Sequence, residues 1–255
     1  MRIVLLLSFL LLSMQAKILV HGHRGARAMK PENSLPAFEY AIAEGVDAIE
    51  LDLAVTKDDI LVVSHDPVLP VRCAGPPSTR VIRELTLKQL GAWTCGGVAI
   101  PTFDQVLALS TKGNFDFNVE TKSFPDKPAL TPAPAEFSKL VLHAVRKHKL
   151  EARVIVQSFD WRTLVEMHKL APEIRLSALE TSTFTIETGT GIVSPQFKLI
   201  TKERVDQAHA AGMQVIPWTV NEPTQWDELI AAGVDAIITD DPAALIAYLK
   251  AKGLR

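Results

Sequence analysis

The chain has 255 residues, 47% of them hydrophobic, with a net charge of −2 and an isoelectric point near 6.4. That is enough chain for one large core and too apolar for disorder. Lysine and arginine are scattered rather than clustered, which excludes the basic face of a nucleic-acid-binding protein, and there is no low-complexity segment or sequence repeat.

Residues 1–16 carry one positive charge, an apolar run and a small residue at the end, the layout of a secretory signal peptide. The run is short for a membrane span. Met14 stands where cleavage favours a small residue, so an uncleaved anchor or a buried first helix are the alternatives. With cleavage the protein is expected to be exported, periplasmic or secreted, and to keep no stable membrane span. Without it, the protein would be membrane-anchored or cytoplasmic.

From Lys17 onward strands and helices alternate. Residues 17–21 (KILVH) form a short buried strand that leads to His23-Arg24-Gly25. Asn33 or Ser34 caps a helix through Ala43, with Leu35, Phe38 and Ile42 as its apolar stripe, and Gly45 ends it. Residues 46–55 are a second strand. Alternation puts Glu50 and Asp52 on one face and Ile49, Leu51 and Leu53 on the other. Asp47 falls on the far face, as a surface residue at the strand start. Residues 60–64 deliver His65-Asp66-Pro67 to another strand end.

Residues 66–100 are long for a strand–helix connection and show no clear period beyond a turn at 85–91 capped by Thr86. Thr102 caps a helix through Leu109. Residues 116–121 are a strand with Asn118 and Glu120 on one face and Lys122 just beyond. A helix follows at 134–147, a strand ending in Gln157 at 153–158, and a helix capped by Asp160 that runs to Leu170. Residues 173–179 are a strand, 182–191 an irregular stretch and 191–194 a short strand. Thr201 caps a helix to Ala211. A strand at 213–220 carries Trp218. A helix at 222–232, a strand at 234–239 and a helix at 242–250 complete the chain.

Eight main strands thus begin near 17, 46, 115, 153, 174, 191, 213 and 234. Strands alternating with helices imply parallel pairing. Eight such units predict an α/β fold, a (β/α)8 TIM barrel over residues 17–255, with 66–100 as an insertion after the second strand. The alternative is an open doubly wound sheet, which is disfavoured because no glycine-rich phosphate loop follows the first strand.

Active sites in such barrels lie at the C-terminal strand ends. His23, Arg24, Glu50, Asp52, His65, Glu120, Lys122, Gln157 and Trp218 all fall there. A single strand-end histidine is ordinarily structural, and a single Glu-x-Asp ordinarily faces solvent. Here they converge. Buried unpaired carboxylates are costly, and a divalent cation between them removes that cost. Two imidazoles with a cation and a guanidinium suit a phosphoester. Glu120 is then a third ligand beside Glu50 and Asp52, and Lys122 binds phosphate. Three carboxylates suit a hard cation, Mg2+ or Ca2+. Gln157 is a hydrogen-bonding support, and Asn33 is a helix cap that can also serve the site. His21, His143, His148, His168 and His209 read as surface or structural residues. Asp66 reads as a turn residue, and Asp240 and Asp241 as caps of the last helix.

The two cysteines, Cys73 and Cys95, flank one loop region. In an exported protein they favour a disulfide across it, and in a cytosolic protein they would be two thiols. Closing that loop is worth roughly 3 kcal/mol in the chain-entropy picture.

The stretch resembles the glycerophosphodiester phosphodiesterases. The residues that carry the likeness are His-Arg-Gly at 23–25, Pro-Glu-Asn-Ser at 31–34, Gly-Val-Asp-Ala-Ile-Glu-Leu-Asp at 45–52, Thr-Lys-Asp at 56–58 and His-Asp-Pro at 65–67. It continues at Val-Glu-Thr-Lys (119–122), Gln-Ser-Phe (157–159), Pro-Trp-Thr-Val-Asn (217–221) and Thr-Asp-Asp-Pro (239–242). The resemblance implies metal-dependent hydrolysis of a small-molecule glycerophosphodiester to sn-glycerol 3-phosphate and an alcohol. His23 and His65 would be acid and base, and Glu50, Asp52 and Glu120 would hold the metal. Arg24 and Lys122 would bind phosphate, Trp218 would line the substrate pocket, and the 66–100 insertion would cover the site. Asp58-Asp59 departs from the acidic-Gly pair of many members. A phospholipase D acting on lysophospholipid or sphingomyelin shares the barrel and both histidines, and a non-catalytic phosphodiester-binding protein is the third reading.

Overall fold

The structure is a computed structural model that describes residues 17–186 and 189–255. The leader expected at residues 1–16 lies outside the described residues, as do Glu187 and Thr188 of the irregular stretch.

The first unit is β1 (Leu19–Gly22), α1 (Leu35–Glu44) and β2 (Ala48–Val55). β3 (Leu61–Val63) follows, and then the insertion with β4 (Cys73–Ala74), α2 (Leu87–Leu90), β5 (Thr94–Cys95) and β6 (Val98–Ala99). The chain returns through α3 (Phe103–Leu107) to β7 (Asp116–Thr121), α4 (Pro134–His148), β8 (Val154–Ser158) and α5 (Trp161–Leu170). β9 (Arg175–Glu180), β10 (Ile192–Pro195), α6 (Lys202–Ala210) and β11 (Gln214–Val215) come next. α7 (Pro223–Ala232), β12 (Ala236–Thr239) and α8 (Pro242–Ala251) end the chain.

The parallel strands run in the order β11-β10-β9-β8-β7-β2-β1-β12. The N–H groups of Asp235 and Ile238 donate to the carbonyls of Val215 and Pro217, both at 3.0 Å, and join the two ends of the sheet. This is the expected barrel. Its outer face and the helices share one core, in which Ile49, Leu51 and Leu53 of β2 meet Phe38, Phe103 and Phe117. Inside the barrel, Ile155, Ile192, Ile216, Ala236 and Ile238 form a separate apolar plug. Register then lines up the polar residues: Asp52 lies opposite Glu120, and Glu120 opposite Gln157.

Four local expectations change. β3 pairs antiparallel with β2, Leu53 opposite Val63, so β2 continues into a hairpin. Glu50 and Asp52 therefore lie within a strand rather than at its end, and His65 comes back to the rim on a strand running against the barrel. The hairpin turn uses Asp59 in the left-handed region (φ 59), which an aspartate tolerates.

The seventh strand shrinks from the expected 213–220 to Gln214–Val215. Pro217 has no N–H for a ladder.

Asp47 is not a free surface residue. It accepts from the Val20 N–H at 2.9 Å and pairs with Lys17 and Arg255, tying the bottom of the barrel.

The insertion, which shows no period in sequence, has its own core of Val62, Leu69, Ile82, Leu85, Leu90 and Trp93. Cys73 and Cys95 form a disulfide between β4 and β5.

His21 is structural and buried under the plug, 2% exposed, where the Asn118 amide donates to its Nδ1 at 3.4 Å. Burial pulls the ring down to about 4, with Asp47 opposing and Arg175 adding. An unfolded histidine takes its proton near 6.5. The unfolded state therefore binds more protons between these values, and this ring's contribution is whole above pH ~6.5 and lost as pH falls toward 4. The loss should be about 3 kcal/mol. Urea midpoints measured across that range should slope less for His21→Gln than for the wild type, and equal slopes would remove the assignment.

Candidate active site

The rim is assembled from loops whose backbone is held to the strands. The His23 N–H donates to the Thr239 carbonyl at 2.8 Å, so the residue sits where β1 meets β12. Its Nδ1 is 2.5 Å from Asp240 Oδ1. Asp240 is in turn clamped by Asn221, which donates from Nδ2 to Oδ2 at 2.9 Å and accepts the Asp240 N–H at 2.9 Å. Asp241 alone caps α8. Asp240, expected to cap the same helix, holds a site histidine instead.

The turn after His23 is tight. Arg24 and Gly25 both have positive φ, and a Cβ on Gly25 would lie 2.7 Å from the Ala37 backbone. This geometry aims the Arg24 N–H at Glu50 Oε2, at 2.8 Å. The Arg24 guanidinium reaches Glu32 Oε1 at 3.1 Å and Asp52 Oδ2 at 3.4 Å. Ser34 caps α1, which frees Asn33. The Asn33 amide donates to Asp52 Oδ2 at 2.8 Å, and its Oδ1 accepts the Asp52 N–H at 3.3 Å.

The remaining groups interlock. Gln157 donates to Glu50 Oε1 at 3.0 Å. Lys122 Nζ lies 2.8 Å from Glu120 Oε1, 4.0 Å from Asp52 and 3.2 Å from His65 Nε2. The other imidazole nitrogen, His65 Nδ1, donates to Asp66 Oδ1 at 2.8 Å. Asp66 is therefore more than a turn residue. His23, Arg24, Glu50, His65, Glu120 and Lys122 line one cavity of about 250 Å³, with Gln157, Phe159, Leu179 and Trp218. Asp52 lies beneath it, 1% exposed.

Trp218 donates from Nε1 to the Ser194 carbonyl at 2.7 Å and meets Phe159 edge-on at 5.4 Å between centroids. Phe159 belongs to the wall, a role not expected from the sequence. Its only signal there is its place in the Gln-Ser-Phe motif at 157–159. His143, His168 and His209 are exposed on helices, and His148 pairs with Asp104 at 2.7 Å, all away from the rim.

Electrostatics follow from burial. Glu50 is pushed well above the usual carboxylate range by burial, with Asp52 and Glu120 adding. Burial pushes Glu120 up to about 7, against Lys122. Burial also acts on Asp52, but Lys122 and Arg24 hold it below the usual range. His65 is lowered by burial and by Lys122, against the pull of Asp52.

Glu50, Asp52 and Glu120 each offer an oxygen within 4.8 Å of the others, and no other such group of three exists among the described residues. Gln157 Oε1 is also buried here without a partner. Three buried carboxylates against two cations leave a deficit of positive charge, and an all-oxygen donor set fits a metal ion.

Fold and site together define a barrel enzyme with a metal-fitted, phosphate-suited rim. The chain belongs to the glycerophosphoryl diester phosphodiesterase family, whose sequence profile matches residues 23–244. It is 32% identical over 251 residues to a glycerophosphodiester phosphodiesterase of Caldanaerobacter subterraneus subsp. tengcongensis, covering 93% of this chain and 100% of the relative. It is 32% identical over 240 residues to a glycerophosphodiester phosphodiesterase of Bacillus altitudinis, covering 88% and 94%. A crystal structure from Silicibacter pomeroyi DSS-3, described as a candidate glycerophosphoryl diester phosphodiesterase, superposes with a TM-score of 0.86 at 30% identity, over 93% of this chain and 95% of that one.

Asn33 fixes Asp52 by two hydrogen bonds, so Asn33→Ala should weaken divalent-metal binding by about 10–100-fold. Calorimetric titration of the metal-free protein reads this directly. Unaltered affinity would mean that Asp52 needs no such support.

Proposed function

We propose that this protein hydrolyses glycerophosphodiesters to sn-glycerol 3-phosphate and an alcohol. His23 and His65 act as the acid–base pair, and Glu50, Asp52 and Glu120 hold Mg2+ or Ca2+. One observation carries the reading. Two imidazoles, each tied through Nδ1 to a carboxylate, share a cavity with the buried carboxylates Glu50 and Glu120, with Asp52 just beneath, and with the cations Arg24, Arg27 and Lys122. The named relatives support the substrate class.

Each residue has a defined task. The Asp240 and Asp66 carboxylates accept from the Nδ1–H of each ring, which turns Nε2 of His23 to the reacting atoms. His65 Nε2 accepts from the Lys122 ammonium at 3.2 Å and serves the reacting atoms when that ammonium turns to the phosphate. Arg24 and Lys122 neutralise phosphate oxygens. One ring takes a proton from the attacking glycerol hydroxyl or water, and the other gives one to the leaving oxygen; attack by the hydroxyl leaves a cyclic phosphodiester, which water then opens to sn-glycerol 3-phosphate. When bound, the metal polarises a phosphoryl oxygen. Gln157 holds Glu50, and Trp218 with Phe159 forms the apolar wall.

Export is also proposed. The Cys73–Cys95 disulfide suits an oxidising compartment, and the apolar leader at 1–16 suits secretion. No helix among the described residues is long and apolar enough to cross a membrane. Mass spectrometry of protein from the native host tests this, and an intact Met1 with two alkylatable thiols would refute it.

Two experiments test the chemistry. Exhaustive dialysis against excess EDTA should abolish glycerophosphocholine hydrolysis, and a divalent cation should restore it. Full activity in EDTA would remove the metal from the reading. His23→Ala should lower turnover by about 10²–10⁴-fold, the range for a general acid or base. Wild-type turnover in that variant would show the imidazole to be idle.

A further inference from the structure

A second cavity, about 260 Å³, adjoins the first and shares Arg27 and His65 with it. One wall is the loop after β1, with Lys30 and Glu32. The other is the insertion, with Arg72 and the disulfide-bonded Cys95.

Its chemistry differs from that of the first cavity. None of the lining residues is a phenylalanine, tyrosine or tryptophan. Quaternary ammonium groups are recognised over aromatic faces, so no cage for one exists here. Three cations, Arg27, Lys30 and Arg72, stand against two carboxylates, Glu32 and Asp66. Both carboxylates are already engaged. Glu32 takes Arg24 at 3.1 Å, Arg27 at 3.4 Å and Arg72 as a third guanidinium, while Asp66 takes His65. The Lys30 ammonium has no carboxylate partner among the described residues, only the Tyr40 ring at 5.9 Å. The lining thus presents surplus positive charge and many N–H donors. That repels a trimethylammonium and suits hydroxyl or anionic oxygens.

We propose that this cavity receives the alcohol arm of the diester and selects hydroxylated or anionic alcohols, such as glycerol or inositol, over quaternary ammonium alcohols such as choline. The proposal rests on the function given above. The glycerol arm is assigned to the first cavity, where both imidazoles and the carboxylate cluster surround the reacting phosphorus. Only the other arm is free to extend past His65, and there it meets the insertion. The insertion is therefore a specificity wall, held in place by its own core and disulfide.

The test compares kcat/KM for glycerophosphoglycerol, glycerophosphoinositol and glycerophosphocholine. The wild type should favour the two polyol diesters by about tenfold or more, where tenfold corresponds to 1.36 kcal/mol. Arg72→Glu and, independently, Lys30→Glu should each erode that ratio by about tenfold, mainly through KM. Arg72 has a side chain 55% exposed, so its substitution leaves the core intact. Equal or faster use of the choline diester by the wild type would overturn the proposal. So would parallel changes for all three substrates in both variants, since that pattern places the shared glycerol arm in this cavity. If no diester is hydrolysed at all, it is the function that fails. Calorimetry with the same three compounds then still judges the cavity, and tighter binding of glycerophosphocholine would refute it.

Discussion

Three carboxylates buried inside a barrel set the terms for the rest of the upper half of the molecule. Glu50 and Asp52 are 2% and 1% exposed and Glu120 is 6% exposed, on neighbouring parallel strands in register. Charges at that depth are unfavourable unless they are matched. The matching groups come from four directions: the Arg24 main chain and guanidinium, the Asn33 amide, the Gln157 amide and the Lys122 ammonium. Even so, Glu50 stays pushed well above its usual range by burial and its neighbours. The site is thus organised for a positive charge that the protein chain does not itself supply.

The two histidines are held differently around this centre. His23 is fixed by Asp240, which is itself clamped on both sides by Asn221. His65 rides on the hairpin that extends β2 and leans on Asp66, whose side chain is 44% exposed. One ring belongs to the closed seam of the barrel, between its first and last strands. The other belongs to the base of the insertion. The same division matches our two proposals, chemistry in the first cavity and selection in the second.

Much of this was legible in order along the chain. Period-two alternation put Glu50 and Asp52 inward, and β7 has the expected bounds, 116–121, because each is a local property of consecutive residues. Capping side chains marked α2, α3, α5 and α6 correctly for the same reason. The insertion was not legible. Its apolar residues are too sparse for either period, and its core forms only when Trp93, Leu69 and Val62 are brought together by the fold. The direction of β3 was hidden as well, since a short apolar run carries no sign of its partner's orientation.

The sequence by itself determined the eightfold strand–helix alternation, the inward carboxylates and the group of residues that would gather at the rim. Those follow from spacing, capping and side-chain chemistry within short windows. Only the tertiary structure decided what each of these residues touches. Asp240 reads as a helix cap until the barrel closes and brings it against His23, 217 residues away. Phe159 becomes a wall only when Trp218 packs edge-on against it. Glu32 becomes the hub of three arginines only when the insertion folds over the first loop. Contacts of this range depend on how the strands close into a ring, and no local pattern in the chain encodes that closure.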